Sequence, residues 1–155
     1  MIDQLSDAAF EKIQNWFFEE YLPSWVSAGG DSHGDPRKVL DYWCVPMHAV
    51  VLGTPPNQTR WLSTEEQVLG LLSAVQTPLK KRHYTHTNVL DRRMTFFSDA
   101  AASIDAIWSR RNGDDAEIER VAVHFVVRSV DDHFRIISLV STPTDKERLT
   151  DVFRY

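Results

Sequence analysis

The chain has a single cysteine, Cys44, so no internal disulfide can form, and a lone thiol fits a reducing cytoplasm. Within Tyr42-Trp43-Cys44-Val45 that thiol reads as a buried small hydrophobe rather than a nucleophile. No apolar run reaches the length of a membrane-spanning helix. Basic residues are in deficit, 17 Lys and Arg against 22 Asp and Glu. The net charge of −5 gives no electrostatic support for a nucleic-acid or anionic-membrane partner. Residues Met1–Phe10 carry Asp3 and Asp7 and no basic start, so no secretory signal is read. Gly29-Gly30 and Gly34 lie outside any strand–glycine loop–helix context, which argues against a phosphate cradle. There is no serine nucleophile elbow. No paired-cysteine or two-histidine-plus-carboxylate pattern stands out, and His83 and His86 are poorly spaced for ligation. No metal and no cofactor are expected.

What remains is an ordinary soluble composition, 43% hydrophobic and 25% charged over 155 residues. That length suits one domain, residues 1–155, burying roughly 68–70% of its unfolded surface. Four β-rich segments, Tyr84–Phe97, Ala101–Arg111, Ile118–Ser129 and His133–Ser141, are separated only by short polar breaks. Breaks that short imply antiparallel hairpins, because a parallel return needs a crossover of about a dozen residues.

Helical signals dominate the other half. Ser6-Asp7 reads as an N-cap, with Ala9, Phe10, Ile13, Trp16, Phe17 and Tyr21 at helical spacing until Pro23 limits the helix. Residues 28–35 read as a loop, and Asp35-Pro36 starts a short helix through Tyr42. Pro46 marks Val45–Leu52 as an edge strand. The chain then turns at Thr54-Pro55-Pro56-Asn57, and Thr59–Leu62 returns as a short partner. Ser63 and Glu66 form a capping box for a third helix striped by Val68, Leu71, Leu72 and Val75, which Pro78 kinks or ends. The tail Thr144–Tyr155 reads as a last helix. Helices followed by one strongly bent, mainly antiparallel sheet make an α+β cone. Helices from the amino-terminal half pack into its concave face.

In this order of elements the chain resembles the nuclear transport factor 2-like superfamily, and within it the SnoaL-like group of polyketide cyclases and pocket proteins. The resemblance covers nearly the whole chain. It rests on the aromatic first helix (Phe10, Trp16, Phe17, Tyr21), Tyr42-Trp43-Cys44-Val45-Pro46 entering the first strand, the capped helix at Ser63, and Tyr84-Thr85-His86-Thr87 opening the long strand. It implies a conical pocket open at one end, frequent homodimerisation through the sheet, and functions ranging from cyclase, ketosteroid-type isomerase, dehydratase and epoxide hydrolase to binding alone. Fold does not choose among these.

Register arithmetic supplies the sharpest candidate. If Arg111 pairs with Ile118, paired residue numbers sum to 229 and Asp105 lies opposite His124. Such partners have Cβ atoms about 4.5–5.5 Å apart. A carboxylate orienting an imidazole is the arrangement a general base or acid needs. The competing reading is a cross-strand ion pair on the outer face. On Ile118–Ser129, Val121, Val123, Phe125 and Val127 form the obvious core face. The face with Arg120, Ala122, His124, Val126 and Arg128 is mixed, as either a polar-studded pocket or a dimer surface would be.

His48 and His86 are the further catalytic candidates, against a structural role for each. Tyr21, Trp25, Tyr42 and Trp43 suit a flat hydrophobic ligand near the cone's mouth. Trp108 and Arg110 share one strand face, where Arg110 either closes the cone base, binds an anionic group or pairs with an acid. The expected function is cofactor-independent acid–base chemistry on a hydrophobic metabolite in a cytoplasmic homodimer. The alternative is a non-catalytic ligand-binding or dimerisation module.

Overall fold

The computed structural model describes residues 2–30, 35–53 and 58–154. The turn expected at Thr54–Asn57 and part of the loop expected over 28–35 lie outside the described residues.

Helix α1, Ile2–Asn15, begins before the expected Ser6 cap. It runs through a π-helical turn, Trp16–Tyr21, directly into α2, Leu22–Gly29. Pro23 therefore does not end the helical run, and Gly29 is helical rather than loop. Proline is tolerated here because it stands in the first turn of α2, just after a widened turn that relieves the usual clash with the preceding carbonyls. Asp35 then caps a 3₁₀ segment, Pro36–Asp41, by accepting a hydrogen bond from the Arg37 N–H at 2.9 Å.

Strands β1 (Trp43–Val51) and β2 (Gln58–Leu62) follow. Next comes α3, Glu65–Lys81. Its cap is displaced by one residue from the expected box: the Thr64 hydroxyl accepts from the Gln67 N–H, and the Ser63 N–H donates to Gln67 Oε1 at 2.7 Å. Pro78 sits inside α3 without ending it. The carbonyl it leaves unpaired belongs to exposed Ala74, where solvent can reach it.

The four-strand meander is β3 (Tyr84–Ser98), β4 (Ala101–Asn112), β5 (Glu117–Val130) and β6 (His133–Pro143). Each hairpin is antiparallel, and a four-residue helix α4, Leu149–Val152, is what forms of the expected tail helix. Asp131 and Asp132 take positive φ at the two-residue β5–β6 turn, the left-handed geometry such a hairpin demands.

All strands join one sheet in the order β2-β1-β6-β5-β4-β3. Strand β1 is thus interior, not an edge: it pairs with β2 antiparallel and with β6 parallel. Pro46 fits because the β1–β6 ladder is interrupted between Trp43 and His48, so its missing N–H breaks no ladder bond there. Gly53, at φ +84°, is required at the end of β1, since an added Cβ would lie 2.3 Å from Pro143 Cγ.

The concave face carries one continuous core. Ile13, Phe17, Tyr21 and Trp25 from the first helical run, and Val68, Leu71, Leu72 and Leu79 from α3, pack against Ile104, Trp108, Val123 and Phe125. The opposite, convex face carries a small separate cluster, where Leu149 of α4 covers Ile107 and Ala122. Leu149 N–H donates to Asp91 Oδ2 at 2.8 Å, pinning α4 to β3.

Candidate functional site

The helices do not fill the cone completely. A cavity of about 220 Å³ remains between α3 and the inner sheet face. Tyr21, Trp25, Trp43, Trp108 and Phe125 form its aromatic wall, and Leu71, Leu72, Val75, Val121 and Leu139 much of the aliphatic remainder. Exposed Ala74, Pro78 and Pro143 stand at the mouth.

Polar groups in this wall are few. Trp43 Nε1–H donates to Tyr21 Oη at 3.1 Å, within the buried interior. The Tyr21 hydroxyl keeps its own proton available for donation, and burial pushes its pKa well up, partly offset by that Trp43 bond and by Arg110. Tyr84, behind the wall, is also held protonated by burial, and its hydroxyl pairs with Thr87 Oγ1 at 2.5 Å.

The second polar feature is an ion pair, Arg110 Nη1 to Glu119 Oε1. The two residues are direct cross-strand partners on β4 and β5. Their exposures differ sharply: the Arg110 side chain is 6% accessible and that of Glu119 is 37%. The guanidinium lies over Trp25 at 4.5 Å from the ring centroid and 5.9 Å from that of Trp108, so its face is covered by aromatic carbon. Among the described residues, Arg110 Nε, Trp108 Nε1 and Gln76 Nε2 are buried donors without a hydrogen-bond partner, and Gln76 Oε1 is a buried acceptor without one.

Asp105 and His124 are cross-strand partners, as the 229 register requires, although Arg111 itself pairs with Glu117 across a bulge. His124 Nδ1 lies 2.6 Å from Asp105 Oδ1, and Arg93 Nη2 donates to Oδ2 at 2.8 Å. Burial raises the Asp105 pKa, but the hydrogen bonds from His124 and Arg93 outweigh it and hold the carboxyl below its ordinary range. This trio stands on the convex face, with the sheet between it and the cavity. Alternation along a strand dictates this: Asp105 shares parity with Ile107 under α4, while Arg110 shares parity with Trp108.

The remaining candidates are scattered. His48 lies on β1 against exposed Trp61, with ring centroids 6.1 Å apart. His86 bonds Thr85 Oγ1 through Nδ1 at 2.8 Å and Asp115 Oδ1 through Nε2 at 3.0 Å, beside an open surface groove. Tyr42 packs between Trp16 and Tyr21 and lines a different groove, not the cavity. The structure thus gathers Tyr21, Trp25, Trp43, Trp108 and Arg110, and leaves Asp105, His124, His86, His48 and Tyr42 outside. Sequence reasoning missed Glu119. The signal was available, because 110 and 119 also sum to 229. Among the described residues no cluster of three metal-ligating side chains occurs, and no helix is long and apolar enough to cross a membrane.

A family profile described as NTF2-like protein (DUF6841) matches residues 10–144. No curated protein matches the sequence. Among solved structures the chain is similar to the yeast UBP3-associated protein BRE5, at TM-score 0.63 and 12% identity over 86% of this chain and 98% of that one. A putative calcium/calmodulin dependent protein kinase II association domain from Xanthomonas campestris aligns at TM-score 0.59 and 17% identity, covering 84% and 85%. An NTF2-like protein with a cystatin-like fold from Novosphingobium aromaticivorans aligns at TM-score 0.56 and 13% identity, covering 87% of each. At these identities the likeness is one of fold.

Proposed function

The chain belongs to the NTF2-like family DUF6841, and from that premise we propose that it is a small-molecule pocket protein whose ligand occupies the cone. One observation carries this reading: a mostly apolar cavity, walled by tryptophans, that also holds a buried Arg110–Glu119 pair and a protonated Tyr21. A core serving stability alone gains nothing from a desolvated guanidinium, since apolar residues of similar volume are as stable or more so. Apolar pockets with a few converging polar groups are the usual form of ligand sites.

The acid–base version of this reading uses Tyr21 and Glu119. Tyr21 can donate to a carbonyl oxygen, because its own oxygen already accepts from Trp43. Among the described residues lining the cavity, Glu119 is the one carboxylate. Asp105 and His124 are screened from any cavity ligand by the sheet. Homodimerisation through the sheet belongs to the same proposal, as the family resemblance implies. Sedimentation at tens of micromolar should give a dimer, and a monomer throughout would remove that part.

Titration with 2-naphthol tests the pocket through tryptophan fluorescence, because Trp25, Trp43 and Trp108 line it. Saturable quenching is expected, weakened at least tenfold by Ala74→Trp, which obstructs the mouth from an exposed helix position. Equal quenching in Ala74→Trp, or none in either protein, would reject the cavity as the binding site.

A further inference from the structure

We propose that the ligand is a small monocarboxylate, and that Glu119 occupies its place on Arg110 until the ligand's carboxylate displaces it. This rests on the pocket reading above and assigns the chemistry of its ligand.

The argument starts from the asymmetry of the pair. Arg110 cannot leave: its side chain is almost wholly buried, anchored over Trp25 and Trp108. An arginine in that position needs an anionic partner, because a buried charge left without one is strongly unfavourable. Glu119 is under no such constraint. More than a third of its side chain is accessible at the cavity rim, so its carboxylate can turn into water and be solvated there. The site therefore contains a fixed cation and an exchangeable anion.

Donor geometry points to the incoming group. A guanidinium offers five N–H donors, suited to the two oxygens of a carboxylate. Among the described residues Arg110 donates one hydrogen bond, to one Glu119 oxygen. Arg110 Nε and, two residues earlier on the same strand face, Trp108 Nε1 remain buried donors without acceptors. An unpaired buried donor is unfavourable, and a second carboxylate oxygen at this end of the wall would give it a partner.

The rest of the cavity sets the ligand's body. Its walls are largely tryptophan, leucine, valine and phenylalanine, and among the described residues Arg110 is the only cation in its lining. A phosphate dianion or a dicarboxylate would bring a second negative charge into an apolar enclosure with nothing to meet it. A single carboxylate on a short alkyl or aryl body satisfies both ends. Tyr21, still protonated, is left to hydrogen-bond an oxygen further along that body.

Hexanoate and its neutral isostere hexanamide separate the possibilities, read by tryptophan fluorescence and thermal melting on the full chain. Hexanoate is expected to bind wild type at least tenfold more tightly than hexanamide. Glu119→Ala should bind hexanoate at least tenfold more tightly than wild type does, because the internal competitor is gone. Its melting temperature should fall without hexanoate and recover with it, as the added carboxylate partners Arg110. Should Glu119→Ala not fold, Glu119→Gln keeps an acceptor beside Arg110, removes the charge, and should show the same tightening at smaller size. Equal affinity for acid and amide in wild type would overturn the carboxylate assignment, and unchanged hexanoate affinity in the Glu119 variants would overturn displacement. Both results leave the pocket itself standing, since amide binding that Ala74→Trp abolishes still reports the cavity. If neither probe binds any of these proteins, the pocket reading falls as well.

Discussion

Trp108→Ala is expected to destabilise the fold by about 3–5 kcal/mol, the range for truncating a large buried aromatic. Trp108 is 1% exposed and meets Phe17, Trp25 and Phe125 at ring-centroid distances of 6.3, 6.3 and 5.5 Å. It joins the first helical run to the inner sheet face, so its loss opens a void where two layers meet, beside a cavity that already exists. At about 2–4 °C per kcal/mol for a domain of this size, the melting temperature should drop by about 6–20 °C. Trp61→Ala provides the contrast. That ring is largely exposed, and its removal should stay within about 0.5 kcal/mol. Near-equal melting temperatures for the two variants would mean that the aromatic wall is not packed as described.

Asp105→Asn is expected to remove a pH-dependent share of stability. Asp105 receives hydrogen bonds from His124 and Arg93, which bring its native pKa below the ordinary carboxylate value despite its burial. The unfolded chain, with a pKa of about 3.9, then binds a proton more readily than the native state does. The stabilisation is fully present above about pH 4 and is lost as pH falls from there through the depressed native value. Hydrogen bonds to charged groups contribute about 1.5–3 kcal/mol, and solvent around Arg93 and His124 favours the lower end. Urea denaturation from pH 7 to pH 3 should show wild type more stable at neutral pH and the two curves converging in acid. Parallel curves would mean that the trio contributes no linked stability.

The same trio shows how far the sequence could be read. Short polar breaks announced three antiparallel hairpins, and hairpin register then follows from where the turn sits. That reasoning brought Asp105 opposite His124 even though its anchoring pair, Arg111 with Ile118, is displaced by a bulge. Helix content and the aromatic stripe were equally legible, because apolar spacing of three and four residues is local information. Local signals misled where a neighbouring element changed their meaning. Pro46 suggested an edge strand, yet β6 returns alongside β1 and interrupts its ladder there. Pro23 suggested a helix stop, yet the π turn before it lets the helical run continue.

Strand alternation determined, from residue numbers alone, that Asp105–His124 and Arg110–Glu119 must lie on opposite faces of one sheet. It said nothing about which face closes around a cavity. That depended on where the first helical run and α3 pack, because a bent sheet encloses whatever lies on its concave side, and the direction of bending is set by long-range contacts with those helices. Packing buried Arg110 beside Trp25 and left Glu119 at the rim. Two cross-strand pairs of equal standing in the sequence thereby became an outer ion pair and a candidate ligand site.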